Sequence, residues 1–190
     1  MIGRPGPGAD KGEWRGWARS EWGKLDPRSI SPPVVESLAR SPLLRGATTL
    51  MLYFPMSAEI DLTPLMDLVP ASTLVTATRT PPSGPLSLHR VEEAELEEHF
   101  YGFRQPTAGA TPIDPVSIDV ALVPGLCFAR DGTRLGHGAG YFDEFLARGR
   151  PDAVRIGVVP QQLLVGRLPS SSHDVAMTHL ATEAGVRPVG

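Results

Sequence analysis

"SIDVALVPGLCFARDGTRLGHGAGYFDEFLAR", residues 117–148, reads as an apolar strand, a glycine loop and a helix, in that order. The run "SIDVALVP" is apolar almost throughout, which predicts a central strand covered on both faces. Behind it, Gly136, Gly138 and Gly140 recur at every second position after Arg134. Tyr141, Phe142, Phe145 and Leu146 then follow with helical spacing. A strand that feeds a helix through such a loop is a unit of a layered α/β domain.

The flanking sequence repeats that alternation. Near the start, Asp10 and Glu13 form a capping-box pattern that predicts a helix. Trp14, Trp17, Trp22 and Leu25 fall near one face of it, and Lys11, Arg15 and Arg19 recur every four residues on another. By pattern alone, that basic stripe reads as a solvated face. "SPPVVESLARSPLL" predicts a second helix, with Ser31 as cap and its prolines in the first turn. "TTLMLYF", "STLVTATR", "LSLHRV", "AVRIGVVP" and "THLATEAG" read as further strands. The segment "PMSAEIDLTPLMDLV" reads as a loop and a short helix, "EEAELEEHF" as an acidic solvated helix, and "TAGATPIDP" as loop. Together these predict a three-layer α/β/α fold with a mainly parallel sheet flanked by helices. It forms one domain over residues 10–190, behind a disordered Gly/Pro-rich lead-in at 1–9.

The bulk numbers bound the function. The 190 residues carry 41% apolar and 21% charged side chains, an ordinary globular balance. A net charge of −3 argues against a general polyanion surface, so no nucleic-acid partner is expected. One cysteine, Cys127, excludes an internal disulfide and a CxxC metal site and fits a reducing cytosol. No apolar run approaches membrane-spanning length, and "MIGRPGPGAD" lacks the apolar core of a secretory signal. The expectation is a cytoplasmic protein with no membrane contact, a monomer or small homo-oligomer.

Glycines let a backbone approach a ligand closely, and a helix N-terminus behind them favours phosphate. Arg134 adds a fork for phosphate oxygens, and Asp143 a carboxylate suited to magnesium. The loop is neither a P-loop nor a dinucleotide fingerprint. On its own the loop is weak evidence for a phosphate cradle, and a plain structural turn is the better reading of it.

With its surroundings, "DVALVPGLCFARDGTRLGHGAGYFDEFL" resembles the signature of the 5-formyltetrahydrofolate cyclo-ligase family, also called methenyltetrahydrofolate synthetases. "KGEWR", "YFPMSAEIDLTPLM", "YGFRQP" and the closing "IGVVPQQLLVGRLPSSSHDVAMTHLATEAGV" are similar to further family blocks, in family order. The resemblance implies conversion of 5-formyltetrahydrofolate to 5,10-methenyltetrahydrofolate by ATP and Mg2+, with release of ADP and phosphate. The formyl oxygen is phosphorylated on the way. It implies ATP contacts at Lys11, Arg15, Arg134, Leu135, Gly136, His137, Gly138, Ala139, Gly140, Tyr141 and Phe142. Of these, Lys11 and Arg134 join Asp143 in the chemistry. Asp143 and Asp174 are implied for the metal, and Phe54, Glu59, Tyr101 and Tyr141 for folate. Two of these positions carry open alternatives. Tyr101 stacks on the pterin or is a plain rim aromatic, and His137 touches ligand or points outward. The chain departs from the family pattern at Phe142, Ala139, Cys127, Gln105 and Thr178, and "TATRTPPSGP" follows it poorly. Arg79 stands for a basic residue there. Two other readings remain: a non-catalytic folate- or nucleotide-binding relative, and a nucleic-acid module built on the basic helix.

Overall fold

The computed structural model describes residues 3–6 and 8–190. The lead-in expected at Met1, Ile2 and Pro7 lies outside the described residues. Helix α1 (Lys11–Trp22) starts with the expected capping box: Asp10 accepts from the Glu13 amide, and Glu13 accepts from the Asp10 amide. Helices α2 (Pro27–Arg40), α3 (Pro42–Arg45) and α4 (Tyr141–Ala147) follow in chain order.

Eight strands form the main sheet. They are β1 (Thr49–Leu52), β2 (Leu74–Arg79), β3 (Ser87–Arg90), β6 (Pro112–Ile113), β7 (Val120–Pro124), β10 (Val154–Val158), β12 (His179–Thr182) and β13 (Gly185–Pro188). Their spatial order is β13-β12-β10-β7-β1-β2-β3-β6. The inner strands β12, β10, β7, β1 and β2 pair in parallel. The outer strands β13, β3 and β6 are antiparallel additions. A hairpin of β4 (Leu96–Glu98) and β5 (Arg104–Pro106) stands apart, as does a small sheet of β8 (Cys127–Ala129), β9 (Arg134–Leu135) and β11 (Leu164–Val165). The result is an α/β domain whose large, mainly parallel sheet is flanked by helices, as the alternation predicts.

The expected centre of the sheet is where the sequence puts it. Every residue of β7 is buried, and β1 is buried throughout. Asp119 fixes their relative position, because its Oδ2 accepts from the amides of Thr48 at 2.8 Å and Thr49 at 2.9 Å. Chain order reverses between β1 and β7: β2 lies on one side of β1, and the later strands on the other. In open α/β sheets, ligands bind outside the carboxyl ends of the strands at such a switch point.

Three sequence expectations need correction. The second helix begins at Pro27 under an Asp26 cap, four residues before Ser31. Ser31 lies inside it, donating from Oγ to the Pro27 carbonyl and accepting from the Asp61 amide at 2.8 Å. That helix does not run on to Leu44. Pro42 disfavours helical geometry at Ser41, which turns extended and caps the separate α3. The acidic run expected as a helix instead contains β4, paired with β5. Nine residues without a buried apolar face are too few to hold a helix, and a tight turn at Gly102, with φ +79°, closes a hairpin.

Packing around β10 supplies a direct test. A Cβ added at Gly157 would lie 2.4 Å from Cε1 of the fully buried Phe128 and 3.0 Å from Met177 Cγ. Gly157→Ala is therefore expected to cost about 1–3 kcal/mol of stability through overpacking, read as a lowered urea midpoint. An unchanged midpoint would show that the strand and ring have room to separate.

Candidate active site

A cavity of about 950 Å³ opens at the carboxyl ends of β1, β2 and β7, lined there by Tyr53, Phe54, Thr80 and Pro124. One end is cationic and the other is a mixture of aromatic and acidic groups.

The cationic end begins with α1. Trp14, Trp17 and Trp22 are buried, and the Trp22 indole donates to the Leu126 carbonyl at 2.9 Å. Arg4 lies 5.8 Å from the Trp17 ring centre, outside that packing. With its tryptophan face held down, the helix turns its basic stripe across the glycine loop. Arg15 Nε donates to the Gly136 carbonyl at 3.0 Å, and Arg19 to the His137 carbonyl at 3.4 Å. The stripe lines the cavity, with Lys11 and Arg15 half-buried and Arg19 exposed.

Arg134 reaches the same place from β9 and is itself buried. It donates to Asp143 Oδ2 at 2.7 Å and to the Pro124 carbonyl at 3.4 Å, and its guanidinium stands 5.6 Å from the Phe142 ring centre. Among the described residues its Nε has no hydrogen-bond partner. A Cβ at Gly136 would sit 2.6 Å from Arg134 Nη1, so a side chain there would push the guanidinium from its place. Gly138 and Gly140 adopt φ of +120° and +76°, a region other residues rarely enter. Gly140 then caps α4 with no side-chain bond. That helix is only seven residues long, so its dipole is modest. The anion-attracting power of this end comes chiefly from Lys11, Arg15, Arg19 and Arg134.

Two carboxylates complete it. Asp143 Oδ1 accepts from the Val175 amide at 3.1 Å, which ties α4 to the segment carrying Asp174. Asp174 accepts from Lys11 Nζ at 2.6 Å and from the Ser171 amide at 2.8 Å. Burial pushes the Asp174 carboxyl up, but the bonds from Lys11 and Ser171 outweigh it and hold its pKa below the usual carboxylate value. Among the described residues no group of three or more His, Cys, Asp or Glu gathers around one point. A hard cation would therefore take one or both of Asp143 and Asp174 and draw its other oxygens from phosphate and water. That donor set fits magnesium, which is commonly held this way in phosphoryl-transfer sites.

At the other end, Phe54 is nearly buried in the wall. Glu59 is 8% exposed, with Oε2 accepting from the Met56 amide at 2.9 Å. Across the cavity, His137 Nε2 lies 3.6 Å from Glu59 Oε1, so His137 faces inward from the glycine loop. Burial raises the Tyr53 hydroxyl pKa well above its ordinary value, helped by the charges of Glu59 and Asp61. Tyr101 stands at the hairpin tip, 65% exposed, at the cavity rim beside Phe100.

Every residue expected at the site lines this cavity: Lys11, Arg15, Phe54, Glu59, Tyr101, Arg134, Leu135, Gly136, His137, Gly138, Ala139, Gly140, Tyr141, Phe142, Asp143 and Asp174. Arg79, Glu97 and Gln105 line it as well. Glu97 had no local signal, since its acidic run reads as a solvated helix. Cys127 lies outside the cavity lining. Burial pushes its thiol up to about 12, which makes it a packing residue.

The fold and cavity define an α/β protein with a cation-lined cleft at the switch point of its sheet. Its sequence matches the model of the 5-formyltetrahydrofolate cyclo-ligase family over residues 18–183. A 5-formyltetrahydrofolate cyclo-ligase of Mycolicibacterium smegmatis is 33% identical over 170 residues, covering 82% of this chain and 87% of that protein. The solution structure of a 5,10-methenyltetrahydrofolate synthetase from Aquifex aeolicus superposes with a TM-score of 0.81 at 30% identity. That match covers 94% of this chain and 92% of the other. A second such synthetase, from Mycoplasma pneumoniae, shares the fold at 17% identity, with a TM-score of 0.73 and coverage of 92% and 99%. The chain belongs to the 5-formyltetrahydrofolate cyclo-ligase family and is an enzyme of that family. No described helix is long and apolar enough to cross a membrane.

The Lys11–Asp174 pair yields a pH test. The folded pKa of Asp174 lies below the usual 3.8. The stability it contributes is therefore complete above that value and is lost as pH falls through the folded pKa. Asp174→Asn should flatten the acid limb of a urea-midpoint profile below pH 3.8. Parallel wild-type and variant limbs would mean that the pair contributes nothing.

Proposed function

We propose that the chain converts 5-formyltetrahydrofolate to 5,10-methenyltetrahydrofolate at the expense of ATP, with magnesium, releasing ADP and phosphate. One observation carries this reading. Within a single cavity, four cations and a glycine loop form one end, while Glu59, Phe54 and an aromatic rim form the other. A triphosphate and a flat heterocycle with hydrogen-bond donors are thereby offered adjoining places.

In this reading Lys11, Arg15 and Arg134 bind the phosphates, and the open backbone of Gly136, Gly138 and Gly140 lets the chain close on them. Phe54 and Glu59 orient the pterin, with Glu59 accepting from its donor edge. Tyr101 and Tyr141 cover it from the rim. The formyl oxygen then attacks the terminal phosphorus and ADP departs. The neighbouring amine adds to the formyl carbon, loses its proton, and expels phosphate together with the former formyl oxygen. No protein nucleophile takes part, so the enzyme's contribution is alignment and charge neutralisation. Magnesium held by Asp143 and Asp174 would neutralise charge on the transferring phosphoryl group. The family reaction fits a cytoplasmic enzyme acting on small molecules.

The test is absorbance at the methenyl-folate band with 5-formyltetrahydrofolate, magnesium and ATP, against a control lacking ATP. An ATP-dependent rise is expected. A flat trace from folded, folate-binding protein would instead indicate a non-catalytic relative. Asp143→Asn should lower kcat roughly a hundredfold or more while folate affinity changes little, because the group acts on charge that develops during transfer. Equal loss of both would remove Asp143 from the chemistry. Arg134→Ala should raise the KM for ATP, and an unchanged ATP dependence would refute its role as a phosphate clamp.

A further inference from the structure

Within the cavity wall, Glu97 on β4 stands directly opposite Gln105 on β5. Both residues line the cavity, as does Arg79, the last residue of β2. Arg79 Nη2 donates to Glu97 Oε1 at 2.8 Å, and Gln105 Nε2 donates to the same oxygen at 2.9 Å. The amide of Gln105 cannot be turned round without loss, because its own Oε1 accepts from the Thr80 amide at 3.0 Å. Gln105 is 2% exposed and Arg79 9%. Two buried, oriented donors thus hold one oxygen of a carboxylate that is itself 39% exposed. Among the described residues nothing donates to its other oxygen, Oε2.

That arrangement exceeds what neutralising Arg79 requires. A guanidinium's counter-ion is best served by a bidentate fork that uses both carboxylate oxygens. Here both donors converge on one oxygen and leave the second without a described donor, on a residue that lines the cavity. A fixed acceptor with its other contacts already satisfied is suited to bind a ligand N–H, since little ordering remains to be done on binding. We propose that Glu97 is a substrate-binding carboxylate, whose Oε2 accepts an N–H of the reduced folate's ring system, and that Arg79 and Gln105 are the residues that position it. Gln105 stands where the family pattern has glutamate, and in this chain its amide serves as a donor that holds Glu97. The inference rests on the folate reading of the cavity and adds a recognition group to it.

The experiment compares wild type, Glu97→Gln and the exchanged double variant Glu97→Gln/Gln105→Glu. Each is measured for folate Kd by calorimetry, folate KM, ATP KM and urea midpoint. Losing a charge-assisted bond should raise folate Kd and KM roughly tenfold to a hundredfold in Glu97→Gln, with ATP KM and kcat little changed. In the exchanged variant a carboxylate again faces Arg79, so the midpoint should recover while folate affinity stays weak. Recovery of folate affinity along with the midpoint would reduce Glu97 to a counter-ion for Arg79 and overturn the proposal. Unchanged folate Kd in folded Glu97→Gln would overturn it as well. If wild type itself neither turns over nor binds folate, the folate reading fails and this assignment falls with it. If wild type binds folate without turnover, the Kd ratio still decides the role of Glu97.

Discussion

The site is organised around one buried guanidinium. Arg134 is almost wholly removed from water; among the described residues its charge meets the Asp143 carboxylate, the Pro124 carbonyl and the Phe142 ring, and its Nε has no hydrogen-bond partner. Burying a cation is costly unless it is paired and hydrogen-bonded. The cost is met here by geometry that several elements must supply together: β9 presents the arginine, α4 the aspartate, and β7 the carbonyl. The guanidinium lies where a Cβ on Gly136 would come within 2.6 Å of it. An anion arriving in the cleft would add to a charge balance that is incomplete without it.

Around that group the sheet acts as a jig. Its chain-order reversal between β1 and β7 opens the only kind of gap in a parallel sheet where loops from both halves meet without crossing. Phe54 and Glu59 come from beyond β1, Arg79 from β2, and Arg134 from beyond β7. The three tryptophans of α1 then decide which way its cations face. A helix with a weaker apolar side could roll, and Lys11, Arg15 and Arg19 would lose their common direction.

Much of this was legible in the residues. The uninterrupted apolar run of β7, the capping box of α1 and the glycine loop each carry a local signal that the structure keeps. The basic stripe of α1 carries two possible meanings, and only the packing of Trp14, Trp17 and Trp22 selects between them. The acidic run around Glu97 misleads because its strand pairing depends on partners in β5 and β2, contacts that no local window contains. Ser31 misleads for a related reason. A serine before two prolines looks like a cap, but Asp26 and Pro27 start the helix earlier, and the hydroxyl serves the loop at Asp61 instead.

The bond between Lys11 and Asp174 joins residues 163 positions apart. Closing so long a loop yields nothing until most of the intervening chain is ordered. During synthesis, the first helix must therefore wait, its cations unmatched, while nearly the whole domain emerges from the ribosome. The binding cleft is a late product of biogenesis. A chain that stops short of Asp174 carries the glycine loop but lacks the carboxylate that Lys11 pairs with.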